Sequence, residues 1–146
     1  MTAPAAIAGG IVVGALAVAA ITAGAVRIDV GGGMKLGGTI SANGETAYAW
    51  HYGAGPGSGG SIFLSCRNKL SGTATITANG GNGEGGGYGG GGGRIAIWYG
   101  SIDDAADITA IAAGGSYRAE TEPSSNWGGD GSVYWHQIPG LMIFVR

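Results

Sequence analysis

Residues 80–93 read GGNGEGGGYGGGGG, with eleven glycines in fourteen positions, and pass directly into the apolar, alternating run RIAIWYG at 94–100. Such a tract has a small set of physical readings. It is a flexible linker, a loop that cradles phosphate, or ordered backbone packed so closely on other backbone that no Cβ is admitted. Ordered glycine chains can adopt the left-handed threefold polyglycine II conformation, which has no internal hydrogen bonds and must pair with neighbouring chains. The ordinary alternative is a set of tight turns between strands.

The tract is one member of a repeating series. Short β-branched runs ending in small residues recur as AVAAITAG (17–24), GGTISANG (37–44), TATITANG (73–80) and DITAIAAG (107–114). Alternating apolar runs recur as VRIDV (26–30), SIFLS (61–65), RIAIWY (94–99) and SVYW (132–135). With Ile28, Ile62, Ile95 and Val133 taken as equivalent, and likewise Ile40, Ile76 and Ile111, both markers share a period near 35 residues. Between them lie variable arms at 45–60, 81–93 and 115–131, and the glycine tract is the richest of these. A place in this series argues against both linker and phosphate loop.

Ile, Val, Thr, Tyr and Trp alternating over four to six residues between Gly and Asn predict strands, and helix is a poor reading from Val26 onward. In Arg94–Tyr99, Ile95, Ile97 and Tyr99 share one face, with Arg94, Ala96 and Trp98 on the other. No single strand–turn–strand–arm unit can bury its apolar face alone, whereas stacked units can. The expected fold is therefore all-β, a glycine-rich repeat of period near 35 with β-solenoid-like stacked strands and glycine-rich arms. Residues 1–25 are expected to be an apolar N-terminal cap or assembly segment, and 26–146 the repeat domain. From Ile21 to Ile28 there is no room for an arm, so 17–24 is read as a truncated cap, with a helix over 3–26 as the alternative.

Composition excludes several functions. Seven basic residues against nine acidic ones, with net charge −2, leave no basic patch for nucleic acid. With 45% hydrophobic and 11% charged residues the chain is too apolar for disorder and too sparsely charged to repel its own copies, which favours homo-assembly. Residues 3–26 carry no charge, but they are rich in Ala and Gly and lack a basic flank, so a membrane span or secretory signal is not favoured. One cysteine, Cys66, rules out an intramolecular disulfide.

Chemistry is sparse. GGGYGG (85–90) satisfies the dinucleotide pattern, but a strand follows it where a helix is required, so no cofactor is expected. His51, His136 and Cys66 have no metal-ligand spacing, DDAAD (103–107) supplies too few oxygens for calcium and reads as a solvated turn, and no nucleophile–base pair is evident, so no enzyme is expected. Thr73, Thr75 and Thr77 alternate, without an evident counterpart in the other copies. Aromatic residues are the better lead. In AYAWHYG, Tyr48, Trp50 and Tyr52 share a face if extended, and Tyr134 and Trp135 add to the set; such rings suit sugar stacking or a subunit contact.

Four segments, GAVRIDVGGGMKLGGTISANG, GPGSGGSIFL, TATITANGGNGEGGGYGGGGGRIAIWYG and GDGSVYWHQIPGLMIFV, resemble the glycine-rich repeats of very large bacterial surface and secreted proteins, which look like β-solenoids. The resemblance covers roughly residues 24–145 and implies an adhesin or structural role with no catalytic residues to carry over. More distantly, the chain is similar to modules in which polyglycine helices pack in a lattice. It departs from the larger proteins in length, and its first 23 residues do not match.

The expected function is a structural subunit or module of an extracellular or cell-surface filament, sheath or adhesin, joined by strand-edge pairing. Its partner would be a second copy. The apolar run Leu141, Met142, Ile143, Phe144 and Val145 is the expected donor strand, since five consecutive apolar residues would not sit exposed on a monomer. The alternatives are a cell-surface glycan-binding module using Tyr48, Trp50 and Tyr52, and a pilin-like protein with an N-terminal assembly helix.

Overall fold

A computed structural model describes residues 11–12, 16–22, 24–48, 55–84, 87–117 and 127–140. Among the described residues there are ten strands: β1 (Ile11–Val12), β2 (Leu16–Thr22), β3 (Ala25–Val30), β4 (Met34–Ser41), β5 (Ala47–Tyr48), β6 (Ser61–Thr77), β7 (Gly83–Glu84), β8 (Arg94–Ile102), β9 (Asp107–Ile111) and β10 (Ser132–Gln137). No helix occurs among the described residues. The protein is all-β, and the strand pairs are parallel. Parallel pairing requires a long crossover, usually a helix; here glycine-rich backbone makes the crossover.

Two ladders run side by side. One joins β1, β3, the first half of β6, β8 and β10; the other joins β2, β4, the second half of β6 and β9. The 17-residue strand β6 belongs to both. Burial alternates as the pattern predicts: Val26, Ile28 and Val30 of β3 face inward, as do Ile62, Leu64 and Cys66 of β6 and Ile95 and Ile97 of β8. Met34, Leu36, Ile40, Leu70 and Ile76 fill the same interior from the second ladder. Burying one such Ile or Leu side chain is worth roughly 1.5–3 kcal/mol.

The register differs from the sequence-based alignment in two places. Val26, not Ile28, is the partner of Ile62, which pairs in turn with Ile95, and Ile95 pairs with Val133. A slip of two keeps the same face inward, so alternation alone cannot detect it. Ile76 pairs with Ala110, and Ile111 pairs with Thr77 and is 41% exposed. Here the interior column Ala42, Ala78 and Ala112 sets the register, together with the Ala113 N–H donating to Asn79 Oδ1 at 2.9 Å. Thr75 has Thr39 and Thr109 as register partners, so the threonines that alternate along β6 also line up across the sheet.

The helix alternative over 3–26 does not hold where that stretch is described, at 11–12, 16–22 and 24–26. Leu16–Thr22 is a strand paired with β4, with Ile21 opposite Ile40. The cause is tertiary: a parallel neighbour with a matching β-branched pattern outweighs the local preference of an alanine-rich run.

The arms pair backbone to backbone. The Gly60 N–H donates to the Ala42 carbonyl and that of Gly57 to Glu45; Gly93 donates to Ala78 and Gly90 to Gly81; Gly131 donates to Ala112 and Gly128 to Gly115. The donors of each of these three pairs are three residues apart. Between the arms, Gly81 donates to Gly57, Gly115 to Gly90, Gly59 to Gly91 and Gly92 to Gly129. Each run is thus bonded on more than one side, as buried backbone groups must be. A Cβ on Gly90 would overlap the Gly57 carbonyl, and one on Gly128 the Gly90 carbonyl.

Asparagines extend the same network. Asn43 Oδ1 accepts the Asn79 N–H at 2.8 Å, Asn79 Oδ1 accepts from Ala113, and Asn82 Oδ1 accepts the Ser116 N–H at 2.9 Å. Asn79→Ala removes the acceptor of a partly buried N–H, and the expected cost is about 1–2 kcal/mol, read as a lower midpoint in urea with unchanged slope.

Candidate functional site

Two surfaces stand apart from ordinary sheet packing, and the first is the end of the stack. Among the described residues β10 pairs only with β8, and β9 only with β6, so each leaves an edge of main-chain groups free. Val133 continues the column Val26, Ile62, Ile95, whose members are 4%, 1% and 0% exposed, yet it is 38% exposed. Trp135 continues Ile28, Leu64, Ile97 and is 37% exposed, its ring edge-on to Tyr99 at 6.2 Å. Positions that are interior everywhere else in the ladder are uncovered at its end.

The second surface lies on the outer face of the first ladder. The Arg27 guanidinium sits 4.7 Å over the Phe63 ring, Phe63 is 6.1 Å from Trp98, Trp98 is 4.6 Å from His136, and His136 stacks on Tyr134 at 6.0 Å. These residues alternate outward on β3, β6, β8 and β10, and the parallel register sets them beside one another. Next to Trp98 opens a cleft of about 820 Å³, lined among others by Arg67, Asn68, Lys69, Ser101 and Pro139. Lys69 reaches Asp103 at 3.6 Å on its flank.

Of the aromatic residues singled out from sequence, Tyr134 and Trp135 fall on opposite faces of β10: Tyr134 joins the outer strip and Trp135 the uncovered interior column. The Tyr48 backbone pairs with Glu84 in the β5–β7 ladder, while its side chain, like Trp50, Tyr52 and Leu141–Val145, lies outside the described residues. Tyr88, in the glycine tract, is 66% exposed and 6.2 Å from Tyr117. Arg67, Asn68 and Lys69 were not found from sequence. They could have been: between the pairs Val30–Cys66 and Met34–Leu70 they stand opposite Gly31, Gly32 and Gly33.

Asp103 closes the turn between β8 and β9, its carbonyl accepting from Ala106 and its Oδ1 from Ala105. No group of three metal-ligating side chains is present among the described residues. Cys66 is buried beneath the cleft, and burial pushes its thiol above the ordinary value, against weaker opposition from backbone N–H groups of Gly100 and Met34. The folded state therefore holds the thiol proton more tightly than the unfolded chain does. This contribution is complete below the ordinary thiol value of about 8.5 and is lost as pH rises through the folded one. Stability of the wild type is expected to fall above about pH 9 more steeply than that of Cys66→Ala, as measured by urea unfolding across pH.

Comparison with protein-family models, with curated proteins and with solved structures found no match. No helix among the described residues is long and apolar enough to cross a membrane.

Proposed function

We propose that this chain is a glycine-rich β-solenoid, with a repeat near 35 residues, that serves as a structural module of an extracellular or cell-surface fibre or adhesin and joins other copies through its open strand edge. The solenoid reading is supported by register partners such as Val26, Ile62 and Ile95, and by the side-chain bonds from Asn43 to Asn79 and from Asn79 to Ala113, which span 36 and 34 residues. The threefold reading of the arms is supported by donors at every third residue and by bonds to several neighbouring runs. It is supported too by glycine conformation. Among the described residues positive φ occurs at Gly38 and Gly72, both inside strands, and not at the arm glycines as turns of types II, I′ or II′ would require.

The observation that carries the assembly reading is the uncovered interior at Val133 and Trp135. A donor strand from a second copy, Leu141–Val145, would set Leu141, Ile143 and Val145 along one face by alternation, over the column ends, and pair its main chain with the free edge of β10. Such a contact is heterologous, so it propagates rather than closing on itself unless the rotation closes a ring. Sedimentation and negative-stain imaging of the intact chain test it: concentration-dependent chains or fibres are expected, and a monodisperse monomer across the micromolar range overturns it.

A further inference from the structure

The corner of the second turn carries side chains where the corner opposite it carries glycine. Arg67, Asn68 and Lys69 fill the interval between the pairs Val30–Cys66 and Met34–Leu70, which Gly31, Gly32 and Gly33 fill in the preceding turn. Three glycines fill the equivalent interval, and while Lys69 is engaged with Asp103, no ion pair or ring contact among the described residues holds the side chains of Arg67 and Asn68. The corner is also bulged. Arg67 and Asn68 stand opposite Gly100 alone, between the pairs Cys66–Tyr99 and Lys69–Ser101. A bulge re-aims side chains, and this one depends on Gly100, where a Cβ would overlap the Arg67 carbonyl.

This bulge forms one wall of the cleft and Trp98 another. Trp98 is 38% exposed and held between Phe63 and His136, so its ring is positioned without being covered. Two of the chain's seven basic residues line the cleft, and no carboxylate does among the described lining residues, although the chain as a whole has net charge −2. Arg67 forms no ion pair among the described residues. A planar ring, a free guanidinium, an amide and a hydroxyl around one space constitute a specific combination of donors.

We propose that this cleft binds a uronic acid residue of an acidic glycan chain. The apolar C–H face of the pyranose stacks on Trp98, its carboxylate pairs with the Arg67 guanidinium, and its hydroxyls are met by Asn68 and Ser101. Each group is matched to what it recognises: aromatic faces attract the polarised C–H bonds of a sugar, and guanidinium matches carboxylate in a two-pronged geometry. The site lies on the outer face and needs no second copy, so it goes beyond assembly and stands or falls separately from it.

The test is titration of the intact chain with hexamers of galacturonate, glucuronate and mannuronate, followed by calorimetry. The controls are a carboxyl-reduced hexamer and polyglutamate. At least one uronate hexamer is expected to bind at least tenfold more tightly than the reduced hexamer or polyglutamate. Arg67→Gln should weaken that binding about tenfold and erase the preference over the reduced sugar, while Trp98→Ala should weaken both sugars. The triple variant Arg67→Gly/Asn68→Gly/Lys69→Gly, its folding checked by urea unfolding, should not bind. The proposal is overturned if no uronate hexamer binds at millimolar concentration, if polyglutamate or the reduced hexamer binds as well, or if the triple-glycine variant retains wild-type affinity.

Discussion

Replacing Gly90 by alanine is expected to unfold the protein or cost it about 3 kcal/mol or more, whereas Gly129→Ala should change stability by no more than about 0.5 kcal/mol. Both glycines belong to returning arms and neither has positive φ, so backbone strain does not distinguish them. Space does. Gly90 is buried, its N–H donates to Gly81, its carbonyl accepts from Gly115, and a Cβ would overlap the Gly57 carbonyl. Around Gly129 nothing lies within 4 Å of an added Cβ. A lattice of backbones cannot yield at one point without breaking bonds to its neighbours, because each run is tied to more than one other. Urea unfolding of the two variants measures the difference. Equal tolerance at both positions would mean that the arm glycines merely turn the chain.

The second large effect concerns assembly. Changing Val133 and Trp135 together to lysine is expected to leave the fold intact and to weaken self-association by at least about thirtyfold, corresponding to about 2 kcal/mol of lost apolar contact at the interface. The fold survives because both side chains are more than a third exposed at the end of their columns. The equivalent change at Ile97, which is 0% exposed, should abolish folding, since a lone ammonium cannot be buried there. Deleting residues 141–146 should reproduce the loss of association, because it removes the proposed donor rather than its seat. Sedimentation velocity reads both. Unchanged association of the Val133/Trp135 variant would place the contact elsewhere.

Much of the architecture was legible along the chain. Arg94–Tyr99 reads as a strand with Ile95 and Ile97 inward and Trp98 outward, and the folded sheet has that arrangement, because side chains on a strand must alternate between faces. The series of β-branched runs also indicated which strands would be neighbours. It did not indicate their register. Val26 and Ile28 lie on one face, so either satisfies the pattern opposite Ile62. Ile111 is the better hydrophobe, yet the Ala42–Ala78–Ala112 column and the Asn79 side chain place Ala110 inward instead. The helix alternative does not hold over Leu16–Thr22 for a related reason: the local helical preference of an alanine-rich run is outweighed by the strand it pairs with.

The two proposed surfaces divide in the same way. That Trp98 and Tyr134 point outward follows from alternation alone, and that Arg67-Asn68-Lys69 stands opposite Gly31-Gly32-Gly33 follows from the pairing of β3 and β4 with β6. Bringing the two together was decided by the bulge opposite Gly100, a misfit of length between two corners. The uncovered Val133 and Trp135 likewise reflect position, since their partners Ile95 and Ile97 on β8 are interior. Periodicity is local and therefore written in the order of residues. Register, corner geometry and coverage depend on how parallel strands joined by connections of unequal length settle on one another, and only packing decides that.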